Sequence, residues 1–392
     1  MTDVLGSEPI TFLMHDAFGG GGVARTTANL ANHLSRSRDV RVISLYRRRP
    51  EARFKLDDAV DVTLLDDLRG GRSKARRPLA RVPSRLRPQP SEATMSLLSD
   101  LLLRNAIRRI TSGVVVSTRP SLHLALTAYA RPGVTTVGWD HLNFPARYKN
   151  AGQRAVLRTA IPRLDGYVVL TDEDAEDYRG DLPDARTEIQ VIRNSVTWPI
   201  RERPPALDSK VVVAAGRLVP RKGFKRLIRA FAPVARRHPD WQLHIYGRGE
   251  QREQLQAMVA RLGLEQQILL KGYDRDFPSV LANASVYAMA SLSEGFPMVL
   301  IEAMTTGLPL IAFDCPRGPA EIIRHGSNGL LIPEGPFRNF TEGLLTLVED
   351  AELRTRLGTQ GLRDAEEYTI ENISVDWERF LGRLTAGRAA AL

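Results

Sequence analysis

One cysteine, Cys315, stands in a chain of 392 residues. That excludes an intramolecular disulfide framework and any zinc site built from cysteines, and it suits a reducing compartment. No apolar run approaches the ~20 residues that a membrane-spanning helix needs. Asp3 and Glu8 fall where a secretory leader would be basic and then apolar, so no leader is expected and the expected place is the cytoplasm. Acid is missing from one long stretch: Leu68 to Ser91 holds no Asp or Glu. No aromatic interrupts it either, so it offers no platform for base stacking, and nucleic acid is not an expected partner.

What the stretch does hold is Arg69, Arg72, Lys74, Arg76, Arg77, Arg81, Arg85 and Arg87, or +8 of a formal net charge of +10. Pro78, Pro83, Pro88 and Pro90 lie among them. So basic a segment, with so few apolar residues, reads as a mobile loop. It is either a plain solvated loop or a patch that steers anions. In the second case the partner is an acidic lipid surface at the inner face of a membrane or an anionic acceptor. Elsewhere the composition, 43% apolar and 26% charged, is that of a globular protein, and the length points to two or three domains.

Short apolar runs alternate with helical patterns along the whole chain. Strands are expected at 10–14, 40–46, 114–117, 134–139 and 167–170. After a proline-bearing stretch from Val196 to Ser209, they resume at 211–215, 242–246, 268–271, 286–290 and 310–313. Alternation of this kind builds parallel sheets with both faces covered. Two α/β domains follow, each a Rossmann-like doubly wound parallel sheet. Expected boundaries are 1–198 and 199–373, with a last helical stretch, 374–392, carrying Trp377 and Phe380 back toward the first domain.

Three motifs sit where such sheets bind ligands. Gly19, Gly20, Gly21 and Gly22 link a strand to a helix and let a ligand come close to the backbone at a helix N-terminus. They also satisfy a weak dinucleotide fingerprint through Gly19, Gly21 and Ala24, although Arg47, Arg48 and Arg49 end the next strand where an acid would meet a ribose. Gly216, Arg217 and Lys222 follow the strand at 211–215. A guanidinium and an ammonium there can grip a pyrophosphate, or simply be solvated. Glu294 precedes a helix that Pro297 would open and Gly307 would close. Glu302 lies within it among Val299, Leu300, Ile301, Ala303 and Met304. A carboxylate buried there needs a partner, such as a ribose diol, unless it turns to solvent or to a cation. Asp172, Glu173 and Asp174 mimic a metal-binding pattern but read more simply as the first turn of a helix capped by Thr171. No metal or cofactor is expected.

With these motifs in order, the chain resembles the family 4 retaining glycosyltransferases of the GT-B fold. Glu294 and Glu302, with seven residues between them, match that family's Glu-x7-Glu signature. Gly216-Arg217-Leu218 with Lys222-Gly223 matches its phosphate loop, and Gly19 to Gly22 its N-terminal glycine loop. Asn194, Gly272, the run from Asp314 to Ile323 and Asn328 to Leu331 also match. The resemblance implies two domains facing a central cleft. It implies that Arg217 and Lys222 bind the donor diphosphate, that Glu302 holds the ribose and that Glu294 contacts the donor sugar. Gly20, Gly21, Gly216 and Gly272 would line the donor site, and the N–H groups of Gly295, Phe296 and Met298 would meet sugar or phosphate oxygens. His141 resembles the family's sugar-contacting histidine, with His123 as the alternative.

The implied activity is transfer of a hexose or N-acetylhexosamine from a nucleotide diphosphate sugar, expected to be UDP-linked, to a hydroxyl of a cell-envelope polymer, a lipid-linked acceptor or a small molecule. No nucleophile and base pair stands out, which favours front-face displacement with retention. A nucleotide-sugar epimerase, a sugar phosphorylase and a non-catalytic polyanion- or membrane-binding protein are the alternatives.

Overall fold

The structure is a computed structural model and describes residues 8–86 and 95–389. Two compact units form. The first comprises the chain up to Ser195 and the segment from Ile370 on; the second runs from Val196 to Thr369. The expected boundaries at 198 and 373 shift for a local reason. The Val196 N–H donates to the Tyr368 carbonyl at 2.8 Å, and Val196 bridges Thr369, so both connecting segments belong to the second unit.

Seven strands make the sheet of the first unit: β1 (Ile10–Met14), β2 (Val40–Arg47), β3 (Val60–Asp67), β4 (Gly113–Ser117), β5 (Val134–Trp139), β6 (Gly166–Val169) and β7 (Glu188–Val191). Their order is β3-β2-β1-β4-β5-β6-β7, and every neighbouring pair is parallel. The second unit holds β8 (Val211–Ala215), β9 (Gln242–Tyr246), β10 (Ile268–Gly272), β11 (Val286–Met289), β12 (Leu310–Asp314) and β13 (Gly329–Pro333). Its order is β10-β9-β8-β11-β12-β13, again all parallel. In both sheets the winding reverses beside the first strand, between β1 and β4 and between β8 and β11. The crevice that opens at the carboxyl ends of such strands is where α/β sheets bind ligands.

The helix Ile370–Ala389 closes the first unit. Trp377, Phe380, Leu381 and Leu384 join a core with Phe12, Val42 and Trp139, and the rings of Trp377 and Trp139 meet edge-on at 4.9 Å. Phe380 lies so close to β6 that a Cβ at Gly166 would come within 2.5 Å of its ring. Burying these large side chains contributes about 2 kcal/mol apiece.

The basic segment departs from the expected loop. Arg77–Arg81 is a short helix, and Asp66, at the end of β3, is buried with Arg72 Nε at 2.8 Å and Arg76 Nη1 at 3.3 Å. The Ser84 hydroxyl and the Arg85 N–H both donate to the buried Asp100. A buried carboxylate recruits cations strongly, and two of them here fasten the segment to the sheet edge. Arg87, Pro88, Pro90 and Ser91 lie outside the described residues. Among the described residues no helix is long and apolar enough to cross a membrane.

Candidate active site

At the carboxyl end of β8, a turn from Pro220 to Lys222 ends on Gly223, whose φ is +66°. A Cβ there would stand 1.7 Å from the Ala290 carbonyl oxygen, so only glycine lets this turn lie against the end of β11. That approach creates the ion pair of the site. Lys222 Nζ reaches Glu294 Oε1 at 2.7 Å, with the side chains 17% and 6% exposed. Arg221, absent from the expected site, adds a second cation. Its Nη1 donates to the Ser293 carbonyl at 2.9 Å and stands 3.7 Å from Glu294 Oε2. Arg217, five residues before Lys222 in the same loop, is exposed. Replacing Gly223 with alanine is expected to cost more than ~2 kcal/mol in urea unfolding, from left-handed strain and the backbone clash. An unchanged unfolding midpoint would mean that the turn can move without cost.

Two backbone bonds hold the Glu294 loop. The Glu294 N–H donates to the Pro316 carbonyl at 2.9 Å, and the Arg317 N–H to the Glu294 carbonyl at 3.1 Å. Gly318, at φ +97°, leaves room for Pro297, whose Cδ would otherwise meet a Cβ at 2.6 Å. The helix Met298–Thr305 starts next, with Pro297 at its N-cap rather than inside its first turn. Glu302 is buried within this helix, at 3% exposure, so it does not turn to solvent. The Tyr287 hydroxyl is pushed well up from its usual range by burial and then by the charge of Glu302.

Of the three N–H groups expected to face a ligand, Met298 is corrected. It donates to the Phe296 carbonyl at 2.9 Å, because the chain turns tightly at Pro297 before the helix. Gly295 and Phe296 donate to no backbone carbonyl among the described residues. Gly272 ends β10, and its carbonyl accepts the Gly247 N–H at 2.7 Å; Gly216 follows β8, and its N–H donates to the Tyr246 carbonyl at 3.0 Å.

In the first unit the glycine run leads from β1 into the helix Gly22–Leu34. Gly19 and Gly21 line a pocket of about 540 Å³. Gly20 lies instead against Arg53 and Arg49, where a Cβ would meet Arg53 Cδ at 2.9 Å. His141 follows β5. Both of its ring nitrogens are buried without a hydrogen-bond partner among the described residues, and its ring lies 4.4 Å from that of Trp139. Burial and the charges of Arg147 and Arg119 outweigh Asp140 and push its pKa down to about 3, so it is neutral at pH 7 with one donor and one acceptor. His123 is wholly buried and bonded to the Ser117 hydroxyl at 2.7 Å, a core position. Asn194 Oδ1 is likewise buried without a partner among the described residues. Thr171 caps the helix Asp172–Asp181, the Asp174 carboxylate accepts the Phe144 N–H, and Asp172 faces Arg193 at 3.4 Å. Asn328 is committed to structure: it bonds Ile322, Arg324 and Asp364.

A parallel sheet of this winding order is a doubly wound α/β unit, and the chain has two of them. The second unit matches the family described as glycosyl transferases group 1 over residues 197–364, and the first matches glycosyltransferase family 4 over residues 20–197. The chain belongs to these GT-B glycosyltransferases.

An exopolysaccharide phosphotransferase of Streptomyces coelicolor is 32% identical over 97% of this chain but 41% of that protein, so the chain spans about two fifths of its length. An uncharacterized glycosyltransferase of Haemophilus influenzae is 26% identical over 95% of this chain and 100% of that one. Among solved structures, a mutant of S. aureus TarM in complex with fondaparinux, α-GlcNAc-glycerol and UDP aligns with a TM-score of 0.74 at 16% identity, covering 95% of this chain and 99% of that one. That likeness speaks to fold.

Proposed function

We propose that this glycosyltransferase is retaining and metal-independent, and that it moves a hexose or N-acetylhexosamine from a UDP-sugar to a hydroxyl of a cell-envelope polymer, a lipid-linked acceptor or a small molecule. The observation that carries the reading is the Lys222–Glu294 pair at 2.7 Å, set at the switch point of the second sheet with Arg221 beside it and the exposed Arg217 on the same loop. When the bond between the anomeric carbon and the diphosphate oxygen breaks, negative charge grows on the departing phosphate. Arg217 and Lys222 oppose that charge more strongly in the transition state than before it, which is the part of binding that accelerates reaction. Glu302 takes the ribose hydroxyls, and Glu294 and His141 contact the donor sugar. In a front-face displacement the acceptor oxygen attacks from the side the phosphate leaves, and its proton passes to the leaving phosphate oxygen. The same anomeric configuration results.

UDP as donor nucleotide is supported by the TarM relative, whose structure holds UDP. A polymer acceptor is supported by the name of the Streptomyces relative. The test is a panel of UDP-sugars with and without acceptor, in EDTA, followed by NMR of the new anomeric proton. Transfer with retained configuration in EDTA is expected. An inverted product, loss of turnover in EDTA, epimerised donor without acceptor, or release of sugar phosphate would each overturn the proposal in favour of a different reaction.

A further inference from the structure

Two cations stand on one short turn, Pro220–Lys222, and different neighbours fix them. The Lys222 stem lies along the backbone that follows β8: a Cβ at Gly216 would sit 3.4 Å from its Cδ and from its Cε. That backbone is where the donor diphosphate is proposed to bind. The ammonium then reaches Glu294 Oε1 at 2.7 Å. It has three N–H donors, so one can stay on Glu294 while another meets a phosphate oxygen. Arg221 is tied instead to the loop that carries Glu294. Its Nη1 donates to the Ser293 carbonyl at 2.9 Å, and its own carbonyl accepts the Leu292 N–H at 2.8 Å.

The choice of anchor has a consequence. A backbone carbonyl keeps its place and its partial charge when an anion arrives nearby, whereas a carboxylate partner can be drawn into the exchange. From its anchor Arg221 Nη1 stands 3.7 Å from Glu294 Oε2, too far for a hydrogen bond and near enough for charge attraction. The two oxygens of Glu294 thus have different cations for neighbours. Glu294 is buried, and a buried carboxylate whose counter-charge weakens is pulled toward water. A diphosphate at the end of β8 shares the Lys222 ammonium, so the hold of Lys222 on Oε1 weakens as the donor binds. Arg221, fastened on Ser293, keeps both the loop and its charge where they were.

We infer that Arg221 is the positioning residue of Glu294: it holds the carboxylate and its loop in place while the donor diphosphate draws on Lys222. One cation of the turn then serves the phosphate, and its neighbour serves the carboxylate that contacts the donor sugar. This rests on the glycosyltransferase reading for the roles of Lys222 and Glu294. The rival role for Arg221 is that of a further phosphate ligand beside Arg217 and Lys222. The bond to Ser293 speaks against it, because the guanidinium would have to leave an acceptor it already satisfies.

The test uses the full chain. Calorimetry reads the affinity for UDP. Release of UDP from UDP-glucose, UDP-galactose and UDP-N-acetylglucosamine, with water as acceptor, reads kcat and KM for whichever donor is turned over fastest. R221Q is expected to leave UDP affinity within about twofold and to lower kcat by about tenfold or more, because Glu294 loses its aim rather than the nucleotide its grip. Glu294→Gln removes the charge that Arg221 faces. Adding R221Q to E294Q is therefore expected to cost less than about threefold further in kcat, the non-additivity of two residues that act as one. If R221Q fails to fold by its melting curve, R221K takes its place under the same criteria, since it keeps a charge but not the planar fork. A fall in UDP affinity beyond twofold overturns the proposal in favour of a phosphate ligand. An equal loss of kcat in the native and E294Q backgrounds overturns it in favour of a loop brace with no link to the carboxylate, and an unchanged kcat overturns it outright. In each of those cases the native chain still turns over a UDP-sugar and the glycosyltransferase reading stands. A native chain that neither binds UDP nor releases it from any of the three donors sinks that reading, and the role of Arg221 with it.

Discussion

Replacing Arg217 and Lys222 together with alanine is expected to lower kcat for sugar transfer by about a thousandfold or more, the scale seen when preorganised charge is removed from a developing anion. The structure explains why the loss falls on kcat. Lys222 is already held by Glu294 at 2.7 Å in the free protein, so its ammonium is aimed before any donor arrives. No rearrangement is then needed when the diphosphate takes on charge. Donor affinity should fall less than kcat if, as proposed, Glu302 holds the ribose. Folding should survive: Arg221 Nη1 stays 3.7 Å from Glu294 Oε2, and Arg217 is exposed. Lys222→Arg is the informative companion, since it keeps the charge but not the point geometry. Steady-state kinetics with each variant, beside a melting curve, checks this. Turnover within tenfold of native in the double variant would remove the phosphate role from both residues.

The sequence made the central strands legible and hid three of the four edge strands. β1, β4 and β5 are apolar runs because helices cover both faces of a parallel sheet, and the periodicity shows them plainly. β3, β7 and β13 are absent from the expected strands and all three are edges, while the fourth edge, β10, was expected at 268–271. β3 has Asp61, Asp66 and Asp67 and is partly exposed along most of its length, so its composition resembles a loop. Missing β3 also concealed Asp66, and without Asp66 the arginines after it had nothing to fasten them.

Site residues split in the same way. Glu294, Glu302, Arg217 and Lys222 lie in contiguous motifs and could be picked out one by one. Arg221 directly precedes Lys222 in the chain, and only the approach of the turn to β11 gives it a place beside Glu294. Arg48 and Arg119, which line the first-unit pocket with Gly19 and Gly21, are 71 positions apart in the chain. They share that pocket only because β2 and β4 flank β1, a neighbourhood no local pattern encodes.

Asp140 is where a single substitution should cost the most stability. It follows β5 as a fully buried carboxylate and accepts from Arg147 Nε at 2.9 Å and Nη2 at 2.5 Å, from the hydroxyls of Tyr167 at 2.9 Å and Tyr178 at 3.0 Å, and from the backbone N–H of His141 at 2.8 Å. Burial alone would raise its pKa, but the charge and hydrogen bonds of Arg147, with help from His123 and Tyr167, outweigh burial and hold it down at about 2. Asp140→Ala leaves the Arg147 guanidinium, 9% exposed, without its counter-charge, and a stranded buried ion costs about 3–5 kcal/mol.

The pH dependence has a definite sign. A carboxylate whose folded pKa is depressed contributes stability above its unfolded value of about 4, and that contribution is lost as pH falls through the folded value. The gap between native and Asp140→Ala in urea unfolding should therefore be full at pH 7 and narrow between pH 4 and pH 2. A gap that holds constant down to pH 2 would mean Asp140 is not the ionised hub described. Asp140→Asn keeps an oxygen that can accept the His141 backbone N–H but also removes the counter-charge of Arg147, so it should lose much of the stability that Asp140→Ala loses, and the unfolding midpoints of the two variants at pH 7 check this.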